Sequence, residues 1–333
     1  MEDTGNINEM NMFETPILLI TFNRPDHTRR VFDVIKRQKP KILFVFQDGA
    51  REGNSADIEK CAAVRAIVEE PLDWVCELKT FYSDKNLGCG LGPVTGISWF
   101  FEQVEQGIII EDDTIPGSDF FEYAEELLVR YKKTDQIKVI GSIHLEKKKY
   151  GDGSYHFSMA NRNLCAWATW RRAWNSFDYK LTNVSPVDLI RSMKKYNSSR
   201  REIEYWTEIL ELLQHGSLTE TSWDIQFLMS IWLKHGTGIF PNVNLSENIG
   251  FDSDATHTTQ SNNILANVKA GSILPLSHPL EKHISRKADL NYHKLYFQPY
   301  EYSWQGILRL PYRINKRIKK LLGVKGSWKE QLT

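Results

Sequence analysis

The chain has 333 residues, 41% of them hydrophobic, enough for one large domain or two coupled lobes and too apolar for wholesale disorder. Lys plus Arg and Asp plus Glu both number 42, so no overall field draws the chain to nucleic acid. Cys61, Cys76, Cys89 and Cys165 show no CxxC pairing, no secretory leader precedes them, and no apolar stretch is long enough to span a bilayer; the expectation is a cytoplasmic protein with reduced thiols.

Residues 1–13 are polar and read as a tail. From there strands and helices alternate. The run from Pro16 to Phe22 predicts a buried strand, followed by a helix from about His27 to Gln38. A second strand, Lys41 to Gln47, ends on Asp48-Gly49. A helix near Asp57 to Val68 leads to a third strand around Leu78 to Tyr82. The glycines before Pro93 predict a turn, with a helix from Pro93 to about Gln106. Gly107 to Ile110 is a fourth strand, and a helix near Phe120 to Tyr131 precedes a fifth, Lys138 to Ile143. Strands separated by helix-length segments predict an α/β fold: a Rossmann-like, mostly parallel sheet with helices on both faces.

In such sheets ligands collect at the carboxyl ends of the strands. There the sequence places Thr21-Phe22-Asn23-Arg24, Asp48, Lys85-Asn86 and Glu111-Asp112-Asp113. Three consecutive acids closing an apolar strand repel one another and resist desolvation, so they point to a cation between them and a ligand. All-oxygen donors with no Cys or spaced His suit Mn²⁺ or Mg²⁺. The other reading, acids that open the next helix, is served better by Ser118 or Asp119. Lys85 and Arg24 are either a second cation at the site or solvated surface charges.

Gly88-Cys89-Gly90-Leu91-Gly92-Pro93 misses a dinucleotide fingerprint, because Pro93 occupies the third glycine position and the turn follows the third strand. No GxxxxGK[ST] or GxSxG is present.

Gly107-Ile108-Ile109-Ile110-Glu111-Asp112-Asp113, followed by Asp119-Phe120-Phe121-Glu122-Tyr123, resembles the metal-binding segment of the N-acetylglucosaminyltransferase I family. Phe46-Gln47-Asp48-Gly49 is similar to its second-strand nucleotide contact, and Ala166-Trp167-Ala168-Thr169-Trp170 with Trp223-Asp224 is similar to its acceptor-side half. The resemblance covers roughly residues 15–250, and residues 175–221 depart from it. It implies a GT-A fold, a nucleotide-sugar donor that is UDP-linked, and Mn²⁺ (or Mg²⁺). Carried over by residue, it implies that Asp113 binds the metal and that Glu111 and Asp112 hold the donor sugar and ribose. Asp48 and the turn Thr21, Phe22, Asn23, Arg24 would contact base and ribose, with Lys85, Asn86 and Trp167 also on the donor. The implied domains are 14–265, divided into a nucleotide-sugar half (14–145) and an acceptor half (146–265), and a C-terminal extension, 266–333.

Asp224 opens an apolar helix running to about Leu233. It is either an N-cap or a general base that takes the proton of the acceptor hydroxyl, and the family match favours the base, with inversion at the anomeric carbon. His257, in a polar loop, is either structural or a late metal ligand; the family itself does not use such a His. Residues 304–328 carry seven Lys and Arg with apolar residues near helical spacing. This basic amphipathic helix reads either as peripheral contact with the inner membrane face, fitting a lipid-linked saccharide acceptor, or as a docked terminal helix. The expected activity is metal-dependent sugar transfer to a glycan hydroxyl. The alternatives are a nucleotidyltransferase that makes nucleotide sugars, which should carry a Gly-rich turn where Asn23-Arg24-Pro25-Asp26 stands, and a catalytically inactive nucleotide-sugar-binding protein.

Overall fold

The computed structural model describes residues 12–159, 162, 164–215, 223–251 and 264–297. His257 and the basic segment 304–328 lie outside the described residues. The chain divides into two units, Met1–Asp289 and Leu290–Thr333. Within the described part of the second, Tyr292 stacks on Tyr296 with ring centroids 5.6 Å apart.

The first unit is a mixed α/β structure. Its strands are β1 (Ile17–Thr21), β2 (Ile42–Gln47), β3 (Glu77–Tyr82), β4 (Gln106–Glu111), β5 (Thr114–Pro116), β6 (Ile137–Gly141), β7 (Tyr155–Ser158), β8 (Trp167–Trp170), β9 (Thr237–Pro241) and β10 (Ser246–Asn248). The helices are α1 (Pro25–Gln38), α2 (Ser55–Val68), α3 (Gly88–Gln103), α4 (Ser118–Arg130), α5 (Arg171–Trp174), α6 (Pro186–Lys195), α7 (Arg200–Gln214) and α8 (Asp224–Leu233). Eight strands form one sheet in the order β3-β2-β1-β4-β8-β6-β9-β7, and β10 pairs with β5 in a second, small sheet. β1 to β4 are mutually parallel, and β6 and β9 are parallel to each other. β8 is antiparallel to both its neighbours, β4 and β6, and β7 is antiparallel to β9.

The strand-and-helix alternation holds from β1 to β6, with boundaries within a few residues of expectation. β1, β2, β4 and β6 are short and mostly apolar and stay buried on both faces, whereas the edge strand β3 is half-buried to exposed. Ile17, Leu19, Leu43, Val45, Ile108 and Ile110 point to the face covered by Val31, Phe32 and Ile35 of α1 and by Phe120, Phe121 and Leu127 of α4. On the opposite face Phe44 packs edge-on to Phe100 of α3, centroids 4.9 Å apart, and Trp167 packs on Phe227 of α8 at 5.5 Å. Each such side chain contributes about 1.5–3 kcal/mol of burial.

One expectation needs correction. The glycines at 88–92 are not a turn leading to a helix at Pro93; they are already helical, and Pro93 lies inside α3. The reason is close approach. A Cβ on Gly96 would fall against the Phe46 ring, at 2.6–2.9 Å, and one on Gly92 would stand 3.3 Å from Asp48 Oδ2. As expected, Ser118 and Asp119 open α4, Asp119 being the acid of its first turn, with Gly117 at the N-cap. Asp119 also accepts from Ser272 Oγ at 2.7 Å and from the backbone N–H groups of Ile273 and Leu274, which tie a later segment to this helix.

β8 is the element that sequence periodicity did not expose. Its register sets Trp167 opposite Ile109 of β4 and Gly141 of β6. The amino end of β8 therefore meets the carboxyl ends of two parallel strands, and Cys165 and Ala166, just before it, come to the same rim as Glu111.

Candidate active site

The rim begins with β1. Thr21 ends this strand fully inside the sheet, and its hydroxyl donates to the Phe46 carbonyl at 3.1 Å. The chain then leaves the sheet, and Pro25 starts α1 with its φ already helical. In this turn the Phe22 N–H donates to Asp112 Oδ2 at 3.2 Å, and Asn23 Nδ2 donates to Asp57 Oδ1 at 2.7 Å. Arg24 reaches across to the acids: Nη1 lies 3.1 Å from Asp113 Oδ2 and 3.9 Å from Asp112 Oδ1.

At the end of β2, Asp48 is 7% exposed and saturated with donors. Oδ1 accepts from the backbone N–H of Gly49 at 2.9 Å and of Leu87 at 2.8 Å. Oδ2 accepts from the Gly88 N–H at 2.9 Å and from Asn86 Nδ2 at 3.2 Å. Burial pushes its pKa up, against the pull of these backbone donors. Asp48 thereby latches the segment that carries Lys85 and Asn86 to the β2 end, and Asn86 closes the latch with a second bond to the Gly49 carbonyl at 2.8 Å. The Lys85 side chain is exposed.

The acids stand at the end of β4. Asp112 is 8% exposed, and its carboxyl is raised to about 7, first by burial and then by the charge of Asp113, with Arg24 and the Phe22 N–H opposing. Glu111 is raised well above the ordinary range, by burial and then by Asp113, Asp224 and Asp112. Asp224 thus lies within electrostatic reach of Glu111, although 113 positions separate the two in sequence. The N-cap position of α8 is Trp223, and Asp224 follows it as the first helical residue and the acid of the first turn.

Around Asp113 the backbone closes in. Its carbonyl accepts from the Ile249 N–H at 2.7 Å, and a Cβ on Gly250 would collide with its carboxylate. His27 Nε2 lies 3.1 Å from the Ile249 carbonyl. Cys165 is held against Asn248 and Thr114, and its thiol is pushed up to about 12 by burial and by the charges of Asp113 and Glu111.

Trp167 reaches no ligand surface. It is fully buried, tilted against Trp223 at 5.6 Å and Phe227 at 5.5 Å, and it backs the rim rather than lining it. Sequence reasoning also missed Asp57. Arg51 grips it with Nε at 2.5 Å and Nη2 at 2.8 Å and, with Asn23, holds its carboxyl down to about 2. The Arg51 guanidinium stands 5.7 Å over the Phe22 ring. An Asp after Asn54, three residues into a helix start, was the available signal.

Among the described residues no three His, Cys, Asp or Glu side chains are arranged to hold a metal by themselves. The donor chemistry nonetheless fits Mn²⁺ or Mg²⁺ bound together with a diphosphate. Such ions take one or two carboxylates and complete their shell with phosphate and water oxygens. Carboxyls raised first by burial and then by one another's charge are groups that a cation would relieve.

No family model matches the chain, and no curated protein matches it. Solved structures similar to it include a mannosyltransferase from Pyrobaculum calidifontis in complex with GDP-Man and Mn²⁺, with 12% identity, TM-score 0.36, and 67% of this chain and 74% of that one covered. The 4-diphosphocytidyl-2C-methyl-D-erythritol synthase of Anaerococcus prevotii has 11% identity and TM-score 0.33, with 51% and 76% covered. A UDP-glucose pyrophosphorylase complexed with UDP-glucose has 11% identity and TM-score 0.33, with 68% and 90% covered. Likenesses this distant carry no argument about activity, ligand or metal.

Proposed function

We propose that this protein is a metal-dependent glycosyltransferase that moves a sugar from a nucleotide sugar to a hydroxyl of a glycan, with inversion and with Asp224 as general base. One observation carries this reading: the fourth acid, Asp224, comes from a distant helix to within electrostatic reach of the Glu111-Asp112-Asp113 cluster. Four carboxylates on one rim oppose folding, a cost that a cationic, polyphosphate-bearing ligand and a proton to be moved would account for. The resemblance to N-acetylglucosaminyltransferase I favours a UDP-linked hexose or N-acetylhexosamine.

In this reading Asp113 would hold the metal, which would supply positive charge for the donor's diphosphate. Glu111 and Asp112 receive the donor sugar and ribose. Arg24, now paired with Asp113, is near enough to the acids to turn toward the diphosphate once a metal takes its place. Asp48 acts indirectly by fixing the loop of Lys85 and Asn86, while the turn from Thr21 to Arg24 walls the nucleotide. Asp224 accepts the acceptor proton as the hydroxyl oxygen bonds to the anomeric carbon and the bond to the diphosphate breaks. The nucleotidyltransferase alternative is weaker, because the turn after β1, Asn23-Arg24-Pro25-Asp26, lacks glycine.

The test is release of nucleoside diphosphate from a panel of nucleotide sugars, with and without Mn²⁺. Release from none of them overturns the reading. Pyrophosphate release from a nucleoside triphosphate and a sugar phosphate would favour the nucleotidyltransferase instead.

A further inference from the structure

Asp48, expected against the base of a nucleotide, has both carboxylate oxygens taken by Gly49, Leu87, Gly88 and Asn86. A base would have to be read by other groups of the rim.

The sheet sets the direction in which a nucleoside would lie. In the order β3-β2-β1-β4-β8 the acids follow β4, and Asp224 comes from the β8 side, where Phe227 of α8 packs on Trp167. A diphosphate at the acids, with the acceptor beside Asp224, leaves the ends of β1 and β2 for ribose and base. Two strand spacings, roughly 10 Å, separate β4 from β2. There stand Phe22 and Asn23, after β1, and Arg51, three residues past Asp48.

Asp57 organises this group. It is 2% exposed, and its Oδ1 accepts from Asn23 Nδ2 at 2.7 Å and from Arg51 Nη2 at 2.8 Å. Its Oδ2 accepts from Arg51 Nε at 2.5 Å. The Asn23 amide is thereby oriented: its nitrogen faces Asp57, and its Oδ1 has no hydrogen-bond donor among the described residues. The Arg51 guanidinium is fixed in its plane by the carboxylate and lies 5.7 Å over the Phe22 ring. Its Nη1 has no acceptor among the described residues. One buried carboxylate thus holds out a donor and an acceptor side by side.

Uracil and guanine present a carbonyl oxygen beside a ring N–H. Cytosine and adenine present an amino group beside a bare ring nitrogen. The first pattern complements Nη1 and Oδ1. The second sets donor against donor and acceptor against acceptor.

We propose that Arg51 and Asn23 read the base of the donor nucleotide, held by Asp57 as the positioning residue, and select a carbonyl beside a ring N–H. This rests on the nucleotide-sugar reading of the rim; the family resemblance gives Arg51 and Asp57 no role.

The test is calorimetric titration of UDP, GDP, CDP and ADP with Mn²⁺ into the full chain, Arg51→Gln and Asp57→Asn. The parent should bind UDP or GDP about tenfold or more tighter than both CDP and ADP. Arg51→Gln should abolish that preference. Asp57→Asn should abolish it too, although Arg51 and Asn23 remain, because neither is then held. A merely structural role would weaken all four nucleotides together and keep the preference. If Asp57→Asn melts at a lower temperature than the parent, Arg51→Gln, at an exposed side chain, decides alone. Equal binding of the four by the parent, a preference that persists in Arg51→Gln, or binding of none overturns the proposal. Release of nucleoside diphosphate from nucleotide sugars on the same samples reads the transferase separately. Base preference without release would leave the base reader standing and remove the transferase reading; release without base preference would do the reverse.

Discussion

Arg24, in the turn after β1, donates from Nη1 to Asp113 Oδ2 at 3.1 Å and so sets a cation against the acid two residues past the end of β4. In the metal-free protein this guanidinium offsets part of the repulsion among Glu111, Asp112 and Asp113. Arg24→Gln should cost about 1–3 kcal/mol of stability at pH 7.5, on the scale of an uncompensated, partly buried charge. Urea unfolding measures it. Added Mn²⁺ should restore much of the loss, and a variant as stable as the parent without metal would deny Arg24 this role.

The pH dependence of the acids has a definite sign. The Asp112 carboxyl is raised to about 7 when folded, from about 3.8 in the unfolded chain, first by burial and then by the charge of Asp113. Between these values the folded protein keeps a proton that the unfolded chain has released, so this group's contribution to stability is lost as pH rises through that window. Asp112→Asn removes the ionisation. Unfolding free energies at pH 5 and pH 8 without divalent ions should shift in favour of the Asn variant at the higher pH. A parent–variant difference that does not change with pH would show that Asp112 is an ordinary, low-pKa carboxylate.

Asp113→Ala should abolish Mn²⁺-dependent binding of nucleotide sugar while the fold persists, because the side chain stands at a strand-end rim. Calorimetric titration with and without Mn²⁺ checks this. Unchanged affinity and metal dependence would defeat the central claim.

Asp224→Asn keeps the shape of the first residue of α8 but cannot take a proton. Sugar transfer should fall by about 10²-fold or more, the usual scale of general-base catalysis, with donor affinity barely altered. Near-normal turnover would free Asp224 from that role.

Asp48→Ala removes the acceptor for four donors at once, from Gly49, Leu87, Gly88 and Asn86. The expected cost is about 2–4 kcal/mol, since buried donors lose a charged partner. Donor affinity should fall with it as the Lys85–Asn86 segment loosens. Faster hydrogen exchange confined to residues 83–90 would locate the effect, and unchanged exchange there would contradict the latch.

The β1–β6 alternation was legible because it is written locally. Runs such as Ile17–Thr21 and Ile42–Gln47 are apolar throughout, and each is punctuated by a turn and a helix of ordinary length. The parallel-sheet rule then put Thr21, Asp48 and Glu111 at one rim without any coordinates. Partnership needed the tertiary structure. Nothing local to Trp167–Trp170 says that this strand enters between β4 and β6, antiparallel to both, because strand pairing is decided by long-range packing. The glycines of α3 looked like a turn because their service to Phe46 and Asp48 lies across the sheet. Asp48 read as a ligand contact until the loop donors that saturate it came into view. The approach of Asp224 to Glu111 and of Arg24 to Asp113 depends on where whole elements dock. Local propensity and periodicity determine which elements form; long-range packing and electrostatics decide which charges meet.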